Sequence, residues 1–290
     1  MSKRIYVVIG SNGQLGSEIK EISQNLEVDF KFYDFPKIDI TDLAKLSAII
    51  KRDKPSVIIN CAAYTAVDKA ESEPALAELV NATGVKNIVE AAKLVDAWLI
   101  QVSTDYVFDG MGYKPYNEKD ATNPQSVYGA TKLQGEMQAC AYSKGIVVRT
   151  AWLYSTFGNN FVKTMLRLGK ERETLNVVFD QVGSPTYAHD LASALLTIAD
   201  KITSVNDTFF SGIYHYTNEG VCSWYDFTRE IFDMENIGCN LFPIESASYP
   251  TPAKRPHYSV LNKNKIKATF EIAIPHWKHS LATCLSKLNK

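Results

Sequence analysis

The sequence has no long apolar run. A helix needs about 20 consecutive apolar residues to cross a bilayer, and no segment of the 290 residues approaches that length. The basic start of the chain leads into "IYVVI", which ends at Gly10 and is too short for the apolar core of a signal peptide. We therefore expect a cytoplasmic protein without a membrane partner.

Cysteine pairs and an excess of positive charge are also missing. Lys and Arg total 31 against 32 Asp and Glu, for a net charge of −1, so the charge does not indicate binding to nucleic acid. None of the five cysteines forms a C-x-x-C pair, which is typical of reduced thiols in a cytosolic protein. They are Cys61, Cys140, Cys222, Cys239 and Cys284.

Strand and helix patterns alternate through the first 150 residues. Short apolar runs such as "RIYVVIG" and "SVIINCAAY" predict buried strands, and "GQLGSEIKEISQN" predicts a helix with one apolar face. This alternation predicts an α/β fold with a Rossmann-type, doubly wound parallel sheet. After residue 155 the alternation becomes irregular. We predict a sheet domain over 1–150 with late sheet elements at about 186–220, and a smaller C-terminal lobe over 151–185 and 221–290.

Three glycines lie between the first predicted strand and the first predicted helix. Gly10, Gly13 and Gly16 form a G-x-x-G-x-x-G loop, which lets the backbone approach a pyrophosphate at the helix N-terminus. Asp34 ends the second predicted strand, where a carboxylate accepts hydrogen bonds from ribose hydroxyls and repels a 2′-phosphate. The pattern predicts that residues 1–150 bind NADH or NADPH, with a preference for NADH or for dual use.

A tyrosine and a lysine lie four residues apart in "VYGATKLQGEMQA". The helix predicted there carries Tyr128 and Lys132 on one face. A surface tyrosine packed over a lysine side chain is the structural alternative. Their position after the glycine loop, and after "STD" (103–105) at the end of a predicted strand, favours a catalytic pair. Ligands of parallel sheets bind at the carboxyl ends of strands, so we expect these groups to share one site.

The Y-x-x-x-K pair and the glycine loop resemble those of the extended short-chain dehydrogenase/reductase superfamily. Seven segments, between residues 13 and 257, resemble its dTDP-4-dehydrorhamnose reductases: "GQLG", "NCAAYTAVDKAESEP", "STDYVFDG", "VYGATKLQGE", "GNNFVKTMLRL", "DQVGSPT" and "YPTPAKRPH". The resemblance implies that NADH or NADPH reduces the C4 ketone of dTDP-4-dehydro-L-rhamnose to dTDP-L-rhamnose. The C-terminal lobe would then bind this dTDP-sugar.

The resemblance makes Tyr128 the proton donor, with Lys132 and Thr104 as the other catalytic residues. A free tyrosine has a pKa of about 10. A nearby ammonium favours the phenolate and lowers that pKa toward neutral pH. We expect Lys132 to supply this charge and to bond the nicotinamide ribose, and the Thr104 hydroxyl to bond the substrate oxygen.

The loop and the resemblance together imply two sets of binding residues. Residues expected to contact the cofactor are Gly10, Gly13, Gln14, Leu15, Gly16, Asp34, Asp39, Ile40, Ala63, Tyr64, Thr65, Val102, Tyr128 and Lys132. Residues expected to contact the dTDP-sugar are Thr104, Asp105, Trp152 and Arg255. Arg255 would bind the pyrophosphate with its forked donors. A structural arginine packed by the neighbouring prolines is the alternative.

No metal site is predicted. His276 and His279 lie three residues apart without an evident third ligand, so we expect them on a solvated helix. Some members of the resembled family bind Mg²⁺ through Glu residues at a dimer interface. Glu18 matches one such position, whereas His189 occupies another. A homodimer stays open, and we do not expect a metal to mediate it.

Two other functions stay open on the sequence alone. A nucleotide-sugar epimerase or dehydratase would share the fold and the Tyr-Lys pair. A dehydratase, however, would place a carboxylate pair beside Thr104, where this chain has Asp105 followed by Tyr106. A non-catalytic cofactor-binding subunit, like the regulatory subunit of methionine adenosyltransferase, is the second alternative. Retention of Thr104, Tyr128 and Lys132 favours catalysis.

Overall fold

The computed structural model of the chain describes residues 4–205 and 208–289. The first 150 residues alternate between strands and helices, as the sequence predicts. The elements are β1 (Ile5–Ile9), α1 (Gln14–Ser23), β2 (Asp29–Tyr33), α2 (Leu43–Asp53), β3 (Val57–Asn60), α3 (Val67–Ala70), α4 (Pro74–Glu78), α5 (Gly84–Lys93), β4 (Trp98–Thr104), α6 (Val127–Cys140) and β5 (Gly145–Thr150).

The second half of the chain has shorter strands between its helices. Its elements are β6 (Leu153–Tyr154), α7 (Phe161–Glu171), β7 (Thr174–Val178), β8 (Val182–Gly183), β9 (Thr186–Tyr187), α8 (Ala188–Val205), β10 (Gly212–His215), β11 (Cys222–Ser223), α9 (Trp224–Met234), β12 (Asn240–Ile244), α10 (Asn264–Phe270) and α11 (Trp277–Leu288). No helix within 4–205 and 208–289 is long and apolar enough to cross a membrane.

Six parallel strands form the central sheet in the order β10-β5-β4-β3-β1-β2. The chain runs from β1 to the edge strand β2 and then returns to β3 on the other side of β1. This reversal places a topological switch point between β1 and β3, where open α/β sheets bind their ligands. The predicted doubly wound parallel sheet is therefore confirmed.

Helices cover both faces of the sheet. Strands β3 and β5 are buried along their whole length, which explains the apolar runs at 57–59 and 146–148 within them. Successive strand side chains point to opposite faces. Val8 and Ile59 accordingly pack with α1 and α8, whereas Val7 and Ile58 pack with α2 and α5.

A third core cluster lies in the second half of the chain. It joins side chains of α7, α9 and α11, among them Val162, Phe227 and Leu281. Ile266 and Phe270 of α10 pack instead in a cluster on the sheet. The separate cluster supports the predicted lobe, whose limits stay a prediction.

The segment "PALAELVNATGVKNIVEAAKLV" (74–95) has the pattern of one long helix, but the helix is not continuous. A π-helical turn, Leu79–Thr83, separates α4 from α5. The sequence suggests Gly84 as the point of interruption, but Gly84 begins α5 in a helical conformation. Its missing side chain serves packing, because a Cβ there would lie 2.6 Å from Cδ1 of Ile40. Single π turns within helices occur frequently at functional sites.

Candidate active site

A cavity of about 630 Å³ opens at the carboxyl ends of the sheet strands. Every residue that the sequence predicts for the site lines this cavity, except Tyr64 and Arg255. The predicted residues that line it are Gly10, Gly13, Gln14, Leu15, Gly16, Asp34, Asp39, Ile40, Ala63, Thr65, Val102, Thr104, Asp105, Tyr128, Lys132 and Trp152.

The glycine loop forms one end of the cavity. Gly10 has a φ of +79°, and a Cβ there would lie 2.5 Å from the backbone nitrogen of Ala62. A Cβ on Gly16 would collide with the Gly10 carbonyl, so both positions require glycine. Helix α1 begins after Gly13 without a side-chain cap. Its first N–H groups are therefore available to an anion.

Two carboxylates follow β2. Asp34 lines the cavity and accepts hydrogen bonds from the N–H groups of Asn12, at 2.7 Å, and Phe35, at 2.8 Å. These contacts hold the carboxylate beside the glycine loop. Asp39 accepts from the N–H group of Thr41 at 2.9 Å and from its hydroxyl at 2.7 Å. Asp39 therefore already serves a local turn, although it lines the same cavity.

Helix α6 brings the Tyr-Lys pair to the end of β4. The side chain of Ser126 caps the helix by accepting from the N–H of Gly129 at 3.2 Å. Tyr128 and Lys132 then line the cavity together with Thr104. The Lys132 ammonium donates to the carbonyl oxygen of Val102 at 2.7 Å. The structure therefore gathers the three predicted catalytic residues in one place.

Burial dominates the acid–base properties of this pair. It raises the pKa of Tyr128 above the usual tyrosine value, and a hydrogen bond with Thr104 opposes this rise. Burial lowers the pKa of Lys132 to about 8, which the Glu136 carboxylate opposes. The shift of Tyr128 runs opposite to the one that the Tyr-Lys spacing predicts, because desolvation disfavours the phenolate. A phenol that keeps its proton suits a proton donor.

Asp105 adds a buried carboxyl group beside Thr104. Its Oδ1 accepts from the Thr104 hydroxyl at 3.0 Å. Burial raises the pKa of this carboxyl to about 7. Its Oδ2 is buried without a hydrogen-bond partner among the described residues, and the residue lines the cavity. Such an oxygen favours a ligand that offers a hydroxyl group.

Tyr64 and Arg255 lie outside the cavity wall. The Tyr64 hydroxyl donates to Oε2 of Glu73 at 2.6 Å. Nη2 of Arg255 pairs with Oδ2 of Asp68 at 2.6 Å, and its Nη1 donates to the Tyr106 hydroxyl at 3.1 Å. The Tyr106 ring meets the Tyr128 ring edge-on, with centroids 5.5 Å apart. Arg255 therefore lies one aromatic ring away from the proposed proton donor.

Among the residues that shape the site and that sequence reasoning missed are Thr150 and Asn81. Thr150 lines the cavity at the end of β5, and its place at a strand end was a usable signal. Asn81, in the π turn, accepts from the N–H of Tyr64 at 2.9 Å and donates to the Thr131 hydroxyl at 3.1 Å. Asn81 thus links the strand end after β3 to helix α6. No sequence pattern indicates this link, since π turns lack a residue signature.

The two positions considered for a shared metal ion lie in contact. Nδ1 of His189 lies 3.1 Å from Oε2 of Glu18, which is fully buried. Oε1 of Glu18 accepts from the Ser155 hydroxyl at 2.6 Å. Both carboxylate oxygens of Glu18 therefore have protein partners. That the chain binds no metal ion stays a prediction, and the sequence leaves open whether it forms a homodimer.

The chain matches known proteins over nearly its whole length. A dTDP-4-dehydrorhamnose reductase from Aggregatibacter actinomycetemcomitans is 45% identical over 284 residues, or 95% of this chain and 96% of that protein. The crystal structure of one from Clostridium acetobutylicum is 44% identical, with a TM-score of 0.94 and coverage of 99% of this chain and 100% of that one. The crystal structure of one from Bacillus anthracis, in complex with NADP, is 38% identical, with a TM-score of 0.92 and coverage of 98% of this chain and 99% of that one.

The family assignment agrees with the site. Residues 3–290 match the family described as the RmlD substrate binding domain. The relatives from Aggregatibacter actinomycetemcomitans and Escherichia coli are dTDP-4-dehydrorhamnose reductases, and the cavity of this chain holds the Tyr-Lys pair of the extended short-chain superfamily beside a glycine loop. The chain therefore belongs to the RmlD substrate binding domain family, the family of the dTDP-4-dehydrorhamnose reductases.

Proposed function

We propose that the chain reduces the C4 ketone of dTDP-4-dehydro-L-rhamnose to dTDP-L-rhamnose, with Tyr128 as the proton donor. The observation that carries this proposal is the meeting of Tyr128, Lys132 and Thr104 in one cavity whose other end is the glycine loop. Membership of the family supports the choice of sugar. When bound, a reduced nicotinamide cofactor supplies the hydride.

The cavity fits a dinucleotide. The backbone of Gly10 and Gly16 forms a space that a side chain would fill, and the uncapped N-terminus of α1 suits a pyrophosphate. Asp34 would hold the adenosine ribose, and Lys132 the nicotinamide ribose. The structure of the Bacillus anthracis relative is a complex with NADP. That relative supports NADPH as a cofactor, whereas Asp34 supports NADH.

The proton step follows from the burial of the pair. Tyr128 keeps its proton until a stronger base, the oxygen at C4 of the reduced sugar, takes it. The Lys132 ammonium then stabilises the phenolate that is left. The Thr104 hydroxyl would bond the same substrate oxygen, and Oδ2 of Asp105 would accept a hydrogen bond from a sugar hydroxyl. In this division of roles, Tyr128 transfers the proton and Lys132 stabilises the negative charge. Thr104 and Asp105 orient the sugar.

The proposal includes three further expectations, on the roles of the two domains, the location of the protein and its oligomeric state. Residues 1–150 with sheet elements from 186–220 would bind the cofactor, and 151–185 with 221–290 would bind the sugar. The free state of all five cysteines supports a cytoplasmic location. A homodimer is compatible with the family resemblance.

The proposal is tested with purified protein and dTDP-4-dehydro-L-rhamnose. Loss of the reduced-nicotinamide absorbance should require the sugar and either NADH or NADPH, and the product should be dTDP-L-rhamnose. An epimerase or dehydratase would convert the sugar without net consumption of the reduced cofactor. A regulatory subunit would bind the cofactor without turnover. Either of these last results would overturn the proposal.

The carboxylate of Asp34 gives a prediction on cofactor choice. NADH should bind at least as tightly as NADPH, because a 2′-phosphate would be repelled by this carboxylate. Asp34→Ala should narrow any preference for NADH. The measurement is the pair of dissociation constants for each protein, obtained by fluorescence titration. A strong preference of the parent protein for NADPH would contradict the prediction. It would indicate that Lys37, three residues after Asp34, governs the choice of cofactor.

Arg255 gives a prediction on substrate binding. If Arg255 leaves Asp68 to bind the sugar pyrophosphate, Arg255→Ala should raise KM for the dTDP-sugar about tenfold or more, as loss of a charged hydrogen bond does. The turnover number should change little, since the diphosphate is bound alike in the ground and transition states. Lys254→Ala is the matched control, because Lys254 is the neighbouring exposed cation. An unchanged KM for Arg255→Ala would make Arg255 structural.

A further inference from the structure

Trp152 reaches the cavity in an unusual backbone conformation. Its φ is +51°, in the left-handed region that a bulky side chain rarely adopts. Its surroundings must therefore hold it there. The indole of Trp152 stacks on that of Trp224, with ring centroids 3.5 Å apart and planes within 8°. Trp224 itself does not line the cavity and has no role in the proposed function.

A chain of contacts fixes the plane of Trp224. Its Nε1–H group donates to Oε1 of Gln181 at 3.2 Å, and Phe161 packs against the ring with centroids 4.4 Å apart. Nε2 of Gln181 donates to the Ser246 hydroxyl at 2.9 Å. The Ser246 hydroxyl donates in turn to Oδ1 of Asp180 at 2.7 Å. Trp224 is therefore held by a hydrogen bond at its Nε1 edge and by ring contacts with Trp152 and Phe161.

The edge of Trp152 is also confined. A Cβ on Gly183 would lie 2.7 Å from Cε2 and 2.9 Å from Cζ2 of the Trp152 indole. The backbone at Gly183 thus closes one side of the ring, while Trp224 covers one face. Trp152 also lines the cavity.

We propose that Trp224, held by Gln181, is a positioning residue that sets the plane of Trp152 and thereby the orientation of the sugar ring. The inference rests on the proposed function and on the expectation from the family resemblance that Trp152 contacts the sugar. Among the described residues, the rings in contact with Trp224 are those of Trp152, Phe161 and Phe227, and of these Trp152 lines the cavity, so we expect Trp224 to act through Trp152. Its effect should therefore fall on sugar binding and not on the dinucleotide.

A double-mutant cycle tests the proposal. Trp224→Ala should raise KM for the dTDP-sugar by a factor of about two to about ten, which corresponds to the usual free energy of an aromatic pair. The dissociation constant for NADPH should stay unchanged. In the Trp152→Ala background, Trp224→Ala should have no further effect on KM, because the residue through which it acts is gone. Gln181→Leu should change KM in the same direction by less. The proposal would be overturned if the rise in KM of the double variant equalled the product of the rises in the two single variants.

Trp277→Phe is the matched control for damage to the lobe. Trp277 packs on Phe227, as Trp224 does, but it does not stack on Trp152. The control should leave KM unchanged; an equal rise in KM would show a general effect of the aromatic core. If Trp224→Ala fails to fold, Trp224→Phe and Gln181→Leu give the same comparison, with a smaller rise expected.

A spectroscopic readout separates this inference from the proposed function. Two stacked indoles give an exciton couplet in circular dichroism, and Trp152→Ala and Trp224→Ala should each abolish the same couplet. A Trp224→Ala change in the circular dichroism that is the same in the parent protein and in the Trp152→Ala background would overturn the positioning role whatever the activity. If the couplet is present but the dTDP-sugar is not reduced, the proposed substrate fails and the support of Trp152 by Trp224 stands.

Discussion

Tyr128→Phe is expected to lower the turnover number by about 10²–10⁴-fold, the usual contribution of general acid catalysis. The variant keeps the ring that packs edge-on against Tyr106, so the fold and cofactor binding should survive. It loses only the proton that the C4 oxygen must receive. Burial keeps the phenol protonated in the parent protein, so Tyr128 has a proton to donate and phenylalanine has none.

The measurement is the steady-state rate with the dTDP-sugar, together with the dissociation constant for NADPH. Tyr113→Phe is the matched control, since the Tyr113 side chain is 89% exposed and should contribute nothing to the rate. A Tyr128→Phe turnover number within a factor of three of the parent would remove Tyr128 from its role as proton donor.

Glu136→Gln is expected to destabilise the protein strongly. Glu136 and Arg149 are each only 2% exposed, and they form two parallel bonds, Nε–Oε1 at 2.9 Å and Nη2–Oε2 at 2.7 Å. Removing one partner of such a buried pair costs about 3–5 kcal/mol, because the remaining charge is left in a dry site. The free energy of unfolding, measured in urea, should fall by that amount.

The same variant should also shift the pH dependence of turnover. The Glu136 carboxylate raises the pKa of Lys132, which burial holds at about 8. Loss of that carboxylate lowers the Lys132 pKa further, so the ammonium is lost at lower pH. The alkaline decline in rate should therefore begin at lower pH than in the parent protein.

Glu171→Gln is the control for Glu136→Gln. Glu171 pairs with Arg167 on the surface, where the two side chains are 54% and 59% exposed. Such a pair contributes about 0–1 kcal/mol. If Glu136→Gln costs no more than Glu171→Gln, the buried pair does not stabilise the fold in the manner described.

The sequence by itself determined the features that depend on local order along the chain. The run from Ile5 to Ile9, followed by Gly10, Gly13 and Gly16, specifies a buried strand, a tight turn and an open helix N-terminus. The spacing of Tyr128 and Lys132 places both on one helix face whatever the rest of the chain does. Since parallel strands end at one edge of the sheet, these local features were enough to predict a shared site.

Only the tertiary structure decided the properties that depend on neighbours distant in the chain. The pKa of Tyr128 moves upward because the packed fold desolvates the phenol, and the four-residue spacing carries no information on this desolvation. Arg255 pairs with Asp68, and Trp152 stacks on Trp224. The partners are far apart in the sequence, and no sequence pattern indicates either contact. Periodicity reports which face of an element is buried. Desolvation and partner choice arise only when the elements have packed.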